Sequence, residues 1–115
     1  KKQFLKKKIE LIDDGSSIKT WGYITDVICM ILQISQKGKK DIYNTTGNNF
    51  ISIKRIAEII SKSITNTSVK LRKIKKDDPD IVRVSSKRFV DEFGNYNRTK
   101  FSLGIKKLIN SNINL

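Results

Sequence analysis

The residues best able to take part in chemistry lie on one short segment, residues 18–24. Lys19, Trp21 and Tyr23 occupy every second position there. A period of two is typical of a β-strand and places the three side chains on one face of it. A cation and two aromatic rings are binding groups, and together they form neither an acid–base pair nor an activated nucleophile. The segment therefore places one cation and two aromatic rings together on one face of a short strand.

Catalytic and metal-binding chemistry is poorly represented in the chain. It has no histidine, which excludes His-based catalysis and the commonest metal ligand. Cys29 is the only cysteine, so neither an internal disulfide nor a zinc-ligand spacing is available. Because Cys29 lies in an apolar run, we expect it to be a small buried hydrophobe. There is also no Gly-x-Gly-x-x-Gly turn to hold a dinucleotide phosphate. No catalytic, cofactor-binding or metal-binding residue is therefore predicted.

The segment 18–24 belongs to an alternation of predicted strands and helices. A turn at 13–17 precedes it, and Thr25 or Asp26 could cap the apolar helix that follows over about 26–35. Such an alternation predicts a mixed α/β (α+β) unit. The other predicted elements are the end of a helix before residue 9, strands at 9–12, 41–44, 69–74 and 81–84, a loop at 45–49, a helix over 53–64 capped by Ser52, a helix from Ser85 or Ser86 to Phe93 that Gly94 ends, and a helix from Thr99 or Ser102 to Ile109.

With 115 residues, the chain forms at most one small domain with a modest core. Lys and Arg number 24 against 11 Asp and Glu, for a formal net charge of +13. This balance indicates a polyanionic or phosphorylated partner, although the joint richness in lysine, isoleucine and asparagine of an AT-rich genome explains it equally well. No apolar run approaches the roughly 20 residues that span a bilayer. We therefore expect a cytoplasmic protein with no membrane contact.

Residues 19–26, Lys-Thr-Trp-Gly-Tyr-Ile-Thr-Asp, resemble a motif of one enzyme family. The motif is the Arg-x-Trp/Phe/Tyr-x-Tyr-Val-x-Asp element of the extended short-chain dehydrogenases, the NAD-dependent nucleotide-sugar epimerases and dehydratases. Later segments extend the resemblance, in order, along nearly the whole chain. They are 43–47, similar to Tyr-Asn-x-Gly; 52–60, similar to Ser-x-x-Glu-Leu-Ala-x-x-Ile but with Arg55 in place of Glu; 85–88, similar to Asp-x-Ser-Lys but with Ser85 in place of Asp; and 93–94 and 104–105, similar to Leu-Gly and Gly-Leu, with Asn97 where Pro is usual.

The resemblance implies that residues 1–115 are the C-terminal substrate-binding portion of such an enzyme, lacking most of the Rossmann domain. Elements at about 26–45 would pack on the missing nucleotide-binding domain. Lys19 takes the place of the family's arginine that contacts the diphosphate of the sugar nucleotide, and Trp21 that of the aromatic beside it. Lys75 falls on the second phosphate-binding arginine when residues are counted back from Ser85 without gaps. Each residue has a plain alternative: Lys19 as a solvated strand residue, Trp21 as a core aromatic, and Lys75 as part of a charged loop.

The function implied by the resemblance is binding of the nucleoside diphosphate of a sugar substrate, within an NAD-dependent epimerase or dehydratase of polysaccharide biosynthesis. The parent enzyme would hold NAD(P) in an upstream Rossmann domain and could form a homodimer. This chain alone would bind no cofactor and would be inactive. Tyr96 and Lys100 formally match the family's catalytic Tyr-x-x-x-Lys pair, but they follow Gly94 in a loop-like stretch. We interpret that match as coincidence in a lysine-rich chain.

A second function remains open from the composition, that of a small basic nucleic-acid-binding module. Two observations count against this function: the basic residues of the chain are interleaved with acidic ones, and no recognised nucleic-acid motif is present. The enzyme portion is therefore the preferred interpretation, and the nucleic-acid module is the alternative.

Overall fold

A computed structural model describes residues 6–74, 77–95 and 97–111, and this part of the chain contains five short strands and four helices. The predicted mixed α/β class is confirmed. The elements, in chain order, are β1 (Lys7–Glu10), β2 (Ile18–Trp21), α1 (Ile24–Lys37), β3 (Asn49–Ser52), α2 (Ile53–Ser63), β4 (Thr67–Lys70), β5 (Ile81–Val82), α3 (Lys87–Phe93) and α4 (Phe101–Asn110).

The strands form two small sheets. In one, β1 runs parallel to β4, with Ile9 opposite Val69. In the other, β2 lies in the middle, antiparallel to β3 and parallel to β5. Lys19 is therefore flanked by Ile51 on β3 and Val82 on β5. Because successive side chains of a strand point to opposite faces, Lys19 and its neighbour Thr20 face opposite sides of this sheet.

Helix α1 begins two residues earlier than predicted and ends two later. Tyr23 is its N-cap residue and makes no side-chain capping bond. Asp26, one of the two predicted caps, instead lies inside the first turn, where a negative charge is favourable. Ser52 does cap α2 as predicted, since its hydroxyl accepts from the Arg55 N–H at 3.2 Å. For α3, both predicted caps take part. Ser86 occupies the N-cap position, and the hydroxyl of Ser85 accepts from the Lys87 N–H at 3.2 Å.

The strand predicted at 41–44 is wrong, because this stretch is irregular. Side-chain hydrogen bonds, and not backbone bonds to a neighbouring strand, hold this stretch in place. The Tyr43 hydroxyl donates to Glu92 and accepts from the Lys39 and Lys40 N–H groups at 2.8 Å, and the Asn44 amide donates to the Ser85 carbonyl at 3.1 Å. Desolvation, reinforced by the bond to Glu92, raises the pKa of the Tyr43 hydroxyl above its ordinary value.

Three further expectations are corrected at the ends of elements. Residues 7 and 8 belong to strand β1 rather than to the end of a helix, and residues 1–5 of that predicted helix lie outside the described residues. The strand expected at 69–74 lies at Thr67–Lys70. Strand β3 was not predicted, since its first residue was assigned to a loop. Four-residue strands show too few alternations for periodicity alone to place them.

The buried core is small. Among the described residues, the buried hydrophobic ones are Met30, Ala57 and Phe89. Cys29, expected to be buried, is exposed. The reason is helical geometry: neighbouring residues of a helix are rotated by about 100° around its axis, so Met30 points inward and Cys29 does not.

Helix α1 exposes an apolar stripe on the side away from Met30. Ile28, Ile31 and Leu32 are respectively 46%, 50% and 54% exposed. The spacings of three and four residues place them on one face of the helix. Contiguous apolar surface of this kind on a small domain favours association.

We therefore predict that the isolated chain self-associates through α1. Replacing Ile28→Gln and Leu32→Gln together should lower the average mass in sedimentation velocity, because two large apolar side chains leave the stripe. Ile74→Gln is the matched control, since Ile74 is also exposed but lies in an irregular segment. A chain that sediments as a monomer at every concentration tested would contradict the prediction.

Candidate functional site

Lys19 lines a cavity of about 380 Å³ on one face of the three-stranded sheet β3-β2-β5. The cavity lies between the end of β1 and the start of β5, with Ser17 and Ile53 in its wall. The Lys19 side chain is exposed, so its ammonium is accessible to a ligand. Three acidic residues, Glu10, Asp13 and Asp80, share the lining, so Lys19 is the cation in a cavity of mixed charge.

The turn at 13–17 contributes Asp13 and Ser17 to the wall of this cavity. The Asp13 carboxylate accepts from the Gly15 N–H at 2.7 Å, and the Asp14 carboxylate from the Ser16 N–H at 3.0 Å. Gly15 has φ +68°, and a Cβ there would lie 2.8 Å from the Lys54 backbone nitrogen. Glycine is therefore required at this turn for both its conformation and its lack of a side chain. The turn fixes the direction in which the chain enters β2 and hence the position of Lys19.

Trp21 lies two residues further along the same face, but it does not line the Lys19 cavity. Its ring meets the ring of Phe101 on α4 edge to face, with the centroids 6.3 Å apart and the planes at 75°. The indole N–H is buried and has no hydrogen-bond partner among the described residues. Trp21 thus packs between the sheet and the last helix, and a role beside the ligand remains a prediction.

Of the remaining positions singled out in the sequence, Lys100 alone lies among the described residues. Lys75 lies outside the described residues, and so does Tyr96 of the Tyr-x-x-x-Lys match. Lys100, the second member of that match, is exposed at the N-cap of α4. The structure therefore brings Lys19 and Trp21 onto one face and shows nothing of Lys75.

Two glycines let the Tyr-Asn segment cross the end of β2. A Cβ on Gly22 would lie 2.8 Å from the Gly47 backbone nitrogen, and a Cβ on Gly47 would collide with the Trp21 carbonyl oxygen. Backbone passes over backbone here without room for a side chain. This crossing explains why glycine occupies positions 22 and 47 of this chain.

A buried carboxylate joins α1 to the start of α4. Asp26 accepts from the Thr99 N–H at 2.6 Å and from the Thr99 hydroxyl at 3.1 Å. Asn49 on β3 completes the connection, because its amide donates to the Thr99 carbonyl at 3.1 Å and its carbonyl accepts from the Phe101 N–H at 3.0 Å. The segment 99–101 is thus held from both sides, which brings Phe101 to Trp21.

A second cavity, of about 340 Å³, lies on the opposite face of the sheet and was not predicted. Its lining includes Thr20, Phe50, Arg83 and Arg98. The alternation of β2 alone could have assigned Thr20 to this face. Arg98 gives no such signal, because it lies in an irregular segment whose position depends on the bonds of Thr99 to Asp26 and Asn49.

The chain is similar to known proteins in its structure but not in its sequence. No protein-family profile and no curated protein sequence matches the chain. Several solved structures do, and two of them are dehydratases. One is the dTDP-glucose 4,6-dehydratase of Bacillus anthracis in complex with NAD, at 22% identity and a TM-score of 0.71, over 90% of this chain and 34% of that one. The other is an NAD-dependent NDP-hexosamine 5,6-dehydratase of tunicamycin biosynthesis, at 15% identity and a TM-score of 0.71, over 86% of this chain and 33% of that one. The chain therefore shares the fold of part of each of these two dehydratases.

The chain spans about a third of the length of either dehydratase. The expected likeness of the fold to part of an extended short-chain dehydrogenase is therefore confirmed. Within the described part of the chain, no helix is both long and apolar enough to cross a membrane. No three His, Cys, Asp or Glu side chains come together there as metal ligands.

We predict that the Asp26 connection is a main source of stability. Asp26→Ala should lower the free energy of unfolding by about 1.5–3 kcal/mol, the usual value of hydrogen bonds to a charged group. Thr99→Val, which removes the hydroxyl but keeps the N–H, should cost less, about 0.5–1.5 kcal/mol. Urea unfolding measures both changes.

Asp41→Ala is the control for the charge itself, because Asp41 is exposed. Its effect should stay within about 0.5 kcal/mol, as for surface substitutions generally. Equal effects of Asp26→Ala and Asp41→Ala would show that the buried connection contributes nothing.

Proposed function

We propose that this chain is the substrate-binding portion of an NAD-dependent nucleotide-sugar epimerase or dehydratase and that it binds the nucleoside diphosphate of the sugar. The observation that supports this most directly is the accessible Lys19 ammonium in a cavity of about 380 Å³, on the strand that resembles the family's diphosphate-binding element. Both structural neighbours are named for substrates that are nucleoside-diphosphate sugars.

Lys19 would act as a point charge beside the diphosphate. Arginine binds phosphate through two parallel N–H bonds, whereas the lysine ammonium offers charge without a fixed geometry. Lys75, in a segment outside the described residues, would supply a second positive charge. Two cations would also offset the three carboxylates of the cavity, of which Asp13 already accepts a backbone N–H.

The dinucleotide does not fit the residues of this chain. No Gly-x-Gly-x-x-Gly turn is present in the sequence. The single parallel pair within the β2 sheet extends over only two residues of β5, which offers no strand–turn–helix site for a pyrophosphate in the described part. NAD(P), which exchanges a hydride with the sugar in such enzymes, would therefore be held by an upstream Rossmann domain.

That domain would also cover the apolar stripe of α1. In this proposal, elements at about 26–45 form the contact with the nucleotide-binding domain, and Ile28, Ile31 and Leu32 become buried in it. The parent enzyme would act in polysaccharide biosynthesis in the cytoplasm. The residues that distinguish epimerisation from dehydration would lie upstream of Lys1.

The proposal predicts the effect of removing each lysine in the full-length parent enzyme. Lys19→Ala and Lys75→Ala should each weaken nucleoside-diphosphate binding about tenfold to hundredfold, the loss expected when a charged hydrogen bond of about 1.5–3 kcal/mol is removed. The NAD content should not change, because neither lysine lies on a dinucleotide site. Calorimetric titration and the absorbance of released cofactor measure the two quantities.

Lys62→Ala serves as the matched control, since Lys62 is an exposed lysine in the last turn of α2, away from the cavity. It should bind the nucleotide as the parent does. If Lys19→Ala and Lys75→Ala also bind as tightly as the parent, both residues belong to a solvated basic surface and the site assignment is wrong.

A further prediction concerns the cofactor. The chain of 115 residues, studied alone, should show no saturable heat of NAD binding and no turnover of a nucleotide sugar, because the glycine-rich turn is missing. Saturable binding of NAD by this chain would refute the division of labour between the two domains.

A further inference from the structure

Two arginines line the second cavity, on the face of the sheet opposite Lys19. Arg83 and Arg98 both contribute to its wall, together with Asn48 and Thr20. None of the described residues that line it is acidic. The cavity therefore differs in charge from the Lys19 cavity, where three carboxylates surround one cation.

Arg98 has hydrogen-bond donors without acceptors. Its Nη1 donates to the Asn48 side-chain oxygen, whereas Nε and Nη2 are buried and have no partner among the described residues. A buried charged donor left unpaired is costly. Nε and Nη2 together form one edge of the guanidinium, and this edge binds a carboxylate or phosphate through two parallel bonds. The unpaired edge is thus the one suited to an oxyanion.

Arg83 adds a second positive charge that no described acidic residue neutralises. Its guanidinium lies over the Phe50 ring, 4.0 Å from the centroid, and it forms no ion pair with any described residue. The third cation of the wall, Lys87, is already paired with Asp91. Two arginine charges therefore remain for a ligand.

The position of Arg98 is fixed by its neighbour. Thr99 is bound to Asp26 and Asn49, and Asn48 precedes that asparagine. Both ends of the Arg98–Asn48 contact are thus anchored to the same connection. An arginine held in this way loses little freedom when it binds, which favours binding by a preformed site.

We propose that this cavity binds a small phosphate ester, with the Nε–Nη2 edge of Arg98 holding the phosphate and Arg83 neutralising its charge. The volume of about 340 Å³ lies at the lower end of the range for small-molecule sites and exceeds what a bare phosphate ion needs. The site is separate from the proposed diphosphate site, because Thr20 and Lys19 face opposite sides of β2.

The test uses inorganic phosphate and glycerol 3-phosphate as probes, at constant ionic strength set with chloride, on the 15N-labelled chain. Saturable shifts of the Arg98 Nε–H signal and of the Asn48 and Thr20 amides are expected with both, with tighter binding of the ester. Tighter binding of inorganic phosphate than of the ester would reject the ester and thus the proposal as stated. Shifts that chloride alone reproduces, or that spread evenly over the basic surface, would overturn it altogether.

Variants distinguish binding by Arg98 from attraction to the net positive charge of the chain. Arg98→Gln should weaken binding of glycerol 3-phosphate about tenfold to hundredfold, and Arg98→Lys, which keeps the charge but loses the fork, by an intermediate factor. Arg55→Gln is the matched control, because Arg55 is an exposed arginine paired with Glu58 on α2, and it should bind as the parent does. Equal affinity of Arg98→Gln and Arg55→Gln would overturn the proposal.

Two further variants keep the outcome decisive. If Arg98→Gln loses its dispersed spectrum, Arg83→Gln replaces it, since Arg83 is exposed and its removal leaves the Thr99 connection intact. It too should bind at least tenfold more weakly, and unchanged affinity would count against the site. Lys19→Ala should leave the glycerol 3-phosphate affinity that is read from the Arg98 Nε–H signal unchanged, so failure of this site is distinguishable from failure of the diphosphate site.

Discussion

The bonds between the Asp26 carboxylate and Thr99 hold together parts of the chain that are 73 residues apart. A carboxylate that is only 7% exposed is costly to bury unless donors surround it, and here a backbone N–H and a hydroxyl supply them. The first turn of α1, whose free N–H groups carry partial positive charge, adds to this stabilisation. With Asn49 on the other side, the same connection sets the start of α4, the contact between Trp21 and Phe101, and the place of Arg98. With only Met30, Ala57 and Phe89 as buried hydrophobic residues in its described part, the chain depends on such polar bonds more than a larger domain does.

The central strand β2 gives the molecule two chemically different faces. One face has Lys19 in a cavity with three acidic residues, and the other has Arg83 and Arg98 in a cavity without any among its described lining. Strand geometry alone explains this arrangement, because alternate residues of a strand point to opposite sides. It does mean that a high net positive charge is not one uniform surface. Charge is concentrated where an arginine lacks a carboxylate neighbour and is offset where acidic residues share the cavity wall.

The exposed α1 stripe is an apolar feature that the proposed second domain would cover. Apolar side chains at positions 28, 31 and 32 are unusual on the surface of a small domain, but they are ordinary at a contact between domains. Met30, one residue away, packs inward and belongs to this chain's own core. Apolar side chains thus occupy both the buried and the exposed side of one helix, and this is why the apolar run is nearly continuous in the sequence.

The sequence by itself determined the mixed α/β class, the order of most elements, the Ser52 cap and the strand that presents Lys19, because these depend on residues close together in the chain. Spacing of two or of three to four residues, glycine in turns and serine before a helix act locally. The sequence could not show that 41–44 is irregular, that β3 exists or that Cys29 faces outward, since each depends on which partner lies beside it. The tertiary structure alone decided that Asp26 leaves the capping role to bind Thr99, and that Arg98 and Arg83 meet across one cavity. Their separation in sequence has no periodic signature, and only the pairing of β2 with β3 and β5, together with the bonds of Thr99 to Asp26 and Asn49, brings those side chains together.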